Sequence, residues 1–400
     1  MKLKKIPAMI MCAIMLITVF AGCKKEDGDA PPEEAPPSVL EPFPDEPDEN
    51  AGTEAHSHDI DYDAAFAAFA PDTIMMVIGD YNVTWDELFF YLRGNINGIL
   101  QYGEIHDWNG IVYEDYSYAD LVLNYAGETA VTYKAVEYGA AMYGATLGAD
   151  VINKMNEEFE STAEMLGGEE AFLDMLWEMD GISSRGLYEY LVKIGPLANA
   201  IFNVIYGENG ELLADEEVAL YTVHDGYLMA KHILRMKTDE EEDPALADAE
   251  EILERLESYD GDDFASFFDE LMWELSEDSG ALELFPNGYL FQYGDMVPEF
   301  YDACGALEIG AFSSIVETTY GYHIIYRLPI DFDDIPIYYF QQLMYGEISQ
   351  EECESMKLRN IAALGMFDTE LYGWMDDLVI EYTSAYESMD FSKIFDLGEN

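Results

Sequence analysis

Six histidines are spread over 400 residues, and one of them, His323, stands in the stretch ETTYGYHIIYRL at 317–328, two residues after Gly321. Imidazole titrates near neutrality, so a histidine can relay a hydrogen bond, move a proton or ligate a metal. Tyr322, Ile324 and Tyr326 alternate with His323, Ile325 and Arg327, a β pattern of aromatic and β-branched residues. A lone histidine on such a strand is most commonly a hydrogen-bonded core residue, and only a partner elsewhere in the chain gives it chemistry. His56, His58 and Asp59, in HSHD, have metal-ligand residue types at close spacing. No surrounding fold fixes a coordination geometry for them, so no metal site is expected. Beyond Cys23 the chain carries Cys304 and Cys353, too few for a disulfide framework, and sequence leaves their pairing open.

The N-terminus sets the compartment. Lys2, Lys4 and Lys5 flank an apolar run from Ile6 to Phe20 that is too short for a comfortable membrane span, and Ala21 and Gly22 are small residues before Cys23. Residues 1–22 resemble a bacterial lipoprotein signal, with Phe20 where leucine is usual. The resemblance implies that Cys23 becomes the acylated first residue and that the protein is held on the extracytoplasmic face of the bacterial cell membrane. The remainder is expected to be a soluble body tethered at one end. Its 82 acidic against 18 basic residues, a formal charge of −64, repel nucleic acid and anionic headgroups, so neither is an expected partner. Half the residues are apolar, which marks a folded protein with an acidic surface.

Residues 23–64 hold seven of the 15 prolines and many acids, and are expected to form a disordered linker. From 65 to 226 the chain reads as helical after an opening strand pair, Met75 to Ile78 and Tyr81 to Val83. Thr84 and Glu87 have capping-box spacing, and Gly167, Gly181 and Gly207 mark breaks. At Tyr227 the character changes. YLMAKHILRM is a buried-type strand, Asp243 and Pro244 open a helix with the stripe Leu246, Ala249, Leu253 and Leu256, and a second helix puts Phe264, Phe267, Phe268, Leu271 and Leu275 on one face. A short extended piece, a helix near Pro298 and two strands complete a compact α+β domain over 227–330. Residues 331–400 are helix-like and rich in aromatics, with no evident strand, and are expected to pack on the helical N-terminal part.

AKHIL, DFASFFDELMWELSEDSG, GDMVPEF and LEIGAFSSIVETTYGYHII resemble, in order and spacing, the parvulin family of peptidyl-prolyl isomerases. The whole layout is similar to the PrsA/SurA group of extracytoplasmic foldases. The resemblance implies a mainly helical chaperone module with an inserted parvulin domain, a small antiparallel sheet flanked by helices. It makes His232 the partner of His323, places Asp278 where the family has a cysteine or aspartate, and matches Thr318 to a threonine bonded into the histidine network. Leu290, Met296 and Phe300 match the apolar pocket for the proline ring. Where the family has a glycine-aspartate-leucine-glycine stretch, this chain reads NGYLFQYGDM, shorter and without the aspartate and second glycine. No cofactor or metal is implied. The implied clients are unfolded or partly folded secreted proteins with X-Pro segments, handled by an active isomerase or, alternatively, by a non-catalytic holdase that keeps the domain as a scaffold.

Overall fold

The computed structural model describes residues 60–101, 105–113, 116–238 and 244–397. The leader, Cys23, the linker as far as Asp59, the HSHD stretch and Asp243 lie outside them. The described chain forms two compact units: residues up to Ala198 together with those from Gly373, and Asn199–Tyr372. Among the described residues no helix is long and apolar enough to cross a membrane. Order begins earlier than expected, because Asp61 caps a short helix, Tyr62–Phe66, by accepting from Ala64 N at 2.9 Å.

In the first unit Ile74–Ile78 pairs antiparallel with Tyr81–Thr84 on one side and with Ile380–Tyr382 on the other. A strand at the C-terminal end was not expected; three residues are too few to show a period against a helical background. The capping box at Thr84 is also absent. The Thr84 hydroxyl donates to Asp86 Oδ1 at 2.6 Å, and Glu87 turns into the core, where it meets Lys134 Nζ at 2.9 Å and accepts from Tyr91 at 3.1 Å. Lys134 is only 3% exposed, and an unpaired ammonium there would cost more than one helix cap contributes.

The second unit carries a four-stranded antiparallel sheet. Its strands are Leu228–Met236 (β1), Tyr289–Phe291 (β2), Val316–Glu317 (β3) and Gly321–Arg327 (β4), in the order β2-β1-β4-β3. Ala245–Glu257 (α1), Phe264–Leu275 (α2) and Ser279–Leu284 (α3) connect β1 to β2, and Pro298–Ala306 (α4) connects β2 to β3. Alternation along β1 and β4 divides the core. Ile233, Ile324 and Tyr326 pack under α1 and α2, while Leu228, Ala230 and Ile325 pack under α4. On α1 the buried stripe is Ala245, Ala249, Ile252 and Leu256, and Leu246, expected inside, is 41% exposed.

The stretch from 331 does not act as one body. As far as Tyr372 it belongs with the sheet: Leu358, fully buried, packs with Tyr227, Met229 and Leu290, and Arg359 donates to Leu213 O at 2.8 Å and Asp215 at 2.6 Å. Met229 and Leu290 lie in a cluster separate from the one under α1 and α2, and Leu358 supplies their apolar cover.

Candidate active site

The register of β1 on β4 brings the two histidines together. His232 lies opposite Ile325 and Leu234 opposite His323, so both imidazoles project from one face as diagonal neighbours, with Nδ1 to Nδ1 at 3.2 Å. Gly321 makes this approach possible, because a Cβ there would lie 2.1 Å from Arg235 O. Gly321→Ala is therefore expected to pry β4 from β1 and to destabilise the sheet by about 1–3 kcal/mol. Faster amide exchange along both strands would report it.

Asp278 reaches the pair because its segment docks on β1. Leu234 N donates to Ser276 Oγ at 3.2 Å, Glu277 N donates to Leu234 O at 2.9 Å, and Met236 N donates to Glu277 Oε2 at 2.7 Å. The adjoining Asp278 then places Oδ2 2.8 Å from His232 Nε2. At the other end Thr318 Oγ1 sits 2.8 Å from His323 Nε2 and accepts from Tyr320 N at 3.1 Å. His232, His323 and Thr318 are 5%, 4% and 4% exposed.

The carboxylate orders the protons along this array. An ionised Asp278 only accepts, so His232 Nε2 donates to it and His232 Nδ1, bare in a neutral ring, accepts from His323 Nδ1. His323 Nε2 is then the acceptor for the Thr318 hydroxyl. With both rings neutral, every bond of the array can be made. Burial, and after it the neighbouring His232, push the His323 imidazole down to about 3 against the pull of Asp278, in keeping with a neutral ring.

An apolar wall closes one side. Phe300, 2% exposed on α4, stands edge-on to both imidazoles, at 5.2 Å from His232 and 5.6 Å from His323, and Phe291 lies 5.7 Å from it. Met296 packs against the same cluster. Leu290 does not join them. It pairs with Met229, on the opposite face from His232, and packs against Leu358. The residues of β2 that do face the site are Tyr289 and Phe291, opposite Ala230 and Leu228. Tyr289 donates its hydroxyl to Asp278 Oδ2 at 3.1 Å and stands edge-on to His232 at 5.7 Å. Alternation marks these two as a pair in YLF, but which face they take depends on a register that the shortened loop conceals.

Residues 232–328 match the rotamase family, described as the PPIC-type PPIASE domain. This segment belongs to that family. Among curated proteins the chain is similar to foldases. The foldase protein PrsA of Halalkalibacterium halodurans is 35% identical over 178 residues, 43% of this chain and 49% of that protein. PrsA of Oceanobacillus iheyensis is 32% identical over 170 residues, 42% of this chain and 46% of that protein. The chain thus spans about half the length of the curated relatives it matches. The crystal structure of peptidylprolyl isomerase PrsA from Bacillus cereus is 19% identical, covers 72% of this chain and 98% of its own, and superposes with a TM-score of 0.31. The chain is PrsA-like, with its rotamase domain between flanking helical regions.

Proposed function

We propose that the protein is a membrane-anchored extracytoplasmic peptidyl-prolyl cis-trans isomerase and chaperone that assists the folding of secreted proteins. The observation that carries this reading is the unbroken array Thr318, His323, His232, Asp278 beside the apolar wall of Phe300 and Met296. Rotation about an X-Pro bond breaks no covalent bond and must only cross a barrier of roughly 18 to 20 kcal/mol set by amide resonance. Catalysis therefore consists in holding the twisted amide better than the planar one. The twisted amide has less charge separation, so an apolar wall favours it relative to water. A carboxylate near the carbonyl disfavours the resonance form with a negative oxygen, and Asp278 is the group available for that role. The imidazoles hold the wall and the carboxylate in register. The substrate class is unmodified X-Pro peptide, because the cations of the domain are already engaged: Lys231 with Asp269, Arg235 with Asp248, Lys237 with Glu317, Arg255 with Glu274, and Arg327 with the Gly305 carbonyl.

Acceleration of cis-to-trans conversion of a proline tetrapeptide by the purified chain tests the reading, and an uncatalysed rate at every pH refutes it. The position of Leu290 favours the holdase alternative, since one expected pocket residue is missing from the site. The complete array favours catalysis. The anchor rests on the leader 1–22, whose last residues Ala21 and Gly22 precede Cys23. Wild-type cells should incorporate a fatty-acid probe into the protein, and Cys23→Ala should abolish the label and leave precursor or released protein. An unlabelled wild type would remove the anchor from the proposal.

A further inference from the structure

The geometry points to Tyr289 as a positioning residue of the isomerase, whose hydroxyl fixes the Asp278 carboxylate and favours its charged form. The inference rests on the isomerase reading above. Two donors converge on one oxygen: His232 Nε2 at 2.8 Å and the Tyr289 hydroxyl at 3.1 Å, both on Oδ2. Gly288 sets the second of them. Its φ of +112° and its close approach to β1, where a Cβ would lie 2.9 Å from Ala230 O, bring Tyr289 into register opposite Ala230 and so onto the face of His232. Phe285 packs against the phenol ring at 4.8 Å, and Tyr289 is 7% exposed, so the hydroxyl has little freedom to turn elsewhere. Burial and the Asp278 charge hold the phenol well above its ordinary range, which leaves it a donor at any working pH.

A hydrogen bond to the charged form lowers a carboxyl pKa, so its removal raises it. Other groups bear on Asp278 as well. His232 on β1 and His323 on β4 form the array, and the neighbouring Glu277 is paired with Arg235. None of these is altered by Tyr289→Phe, which keeps the ring and deletes one donor.

The test measures kcat/KM of the full chain toward an Ala-Pro tetrapeptide between pH 4.5 and 8, together with carbon NMR titration of the Asp278 carboxyl, assigned through Asp278→Asn. Tyr289→Phe should move the acid limb and the carboxyl midpoint up by about one pH unit, so that below the midpoint the rate falls about tenfold while the plateau at pH 8 changes less than about threefold. Fluorotyrosine at 289, a stronger donor of nearly the same shape, should move both the other way. An unmoved limb and an unmoved midpoint, with any loss spread evenly over pH, overturn the proposal. A wild type with no acceleration at any pH overturns the isomerase reading, and with it the part of Tyr289 in the rate, while the carboxyl titration still reports the hydrogen bond.

Discussion

Phe300→Ala is expected to lower kcat/KM for a proline tetrapeptide by about a hundredfold, and Asp278→Ala by at least about tenfold. The two losses have different causes. Truncating Phe300 opens the wall that both imidazole edges rest on and lets water reach the place where the twisted amide is favoured. A buried phenylalanine also supports the core, so the variant is expected to lose about 3–5 kcal/mol of stability, and the rate must be taken at a temperature where it remains folded. Phe300→Leu, which keeps an apolar side chain, should retain most of both. Asp278 is partly open to solvent, with 23% of its side chain exposed, but its loss strands His232 Nε2 and the Tyr289 hydroxyl, so this rate too must be taken where the variant remains folded. If folded Phe300 and Asp278 variants isomerise the peptide as fast as the wild type, these side chains are core only and the scaffold reading holds.

His323→Ala is expected to destabilise the sheet by about 2–4 kcal/mol, because it strands the Thr318 hydroxyl and His232 Nδ1 in a buried place and leaves a cavity beside Phe300. Its pH dependence separates this from a plain packing loss. The His323 ring is held from its ordinary 6.5 down to about 3, so between those values the unfolded chain binds a proton that the folded protein does not. Stability is therefore greatest above pH 6.5 and falls as the pH drops toward 3, with a slope of up to about 1.4 kcal/mol per pH unit from this group. The variant lacks that component. Urea dependence of amide exchange in β1 and β4, compared between pH 7.5 and 5.5, should show the wild type losing more stability than the variant. Equal losses would mean that His323 is charged in the folded protein.

Much of this site was legible in the sequence because its parts lie on long or strongly marked elements. YLMAKHILRM and GYHIIYR read as strands from their composition, while His232 became the partner of His323 only through the resemblance to the parvulin family, since the register that puts both on one face is not set by either strand alone. The aromatic stripe from Phe264 to Leu275 identified α2, and Gly167, Gly181 and Gly207 fall at the ends of helices where expected. What escaped was set by contacts distant in sequence. Leu290 lies in a three-residue strand, and a slip of one residue there exchanges its two faces. Glu87 has the spacing of a cap, and only the ammonium of Lys134, 47 residues further on, turns it inward. The division of the C-terminal region depended on Leu358 covering Met229 and Leu290, which no local pattern announces.

The pairing of Ile74–Ile78 with Ile380–Tyr382 bears on the order in which this chain can assemble. The Thr383 hydroxyl donates to Ile74 O across 309 residues, and the first unit's sheet is one strand short until the far end of the polypeptide is present. The unit Asn199–Tyr372 is under no such restriction, since all four strands of its sheet lie between Leu228 and Arg327. Emerging from the N-terminus onward, the chain can finish the contiguous unit that carries its rotamase domain while the helical unit that precedes it still waits for the strand Ile380–Tyr382.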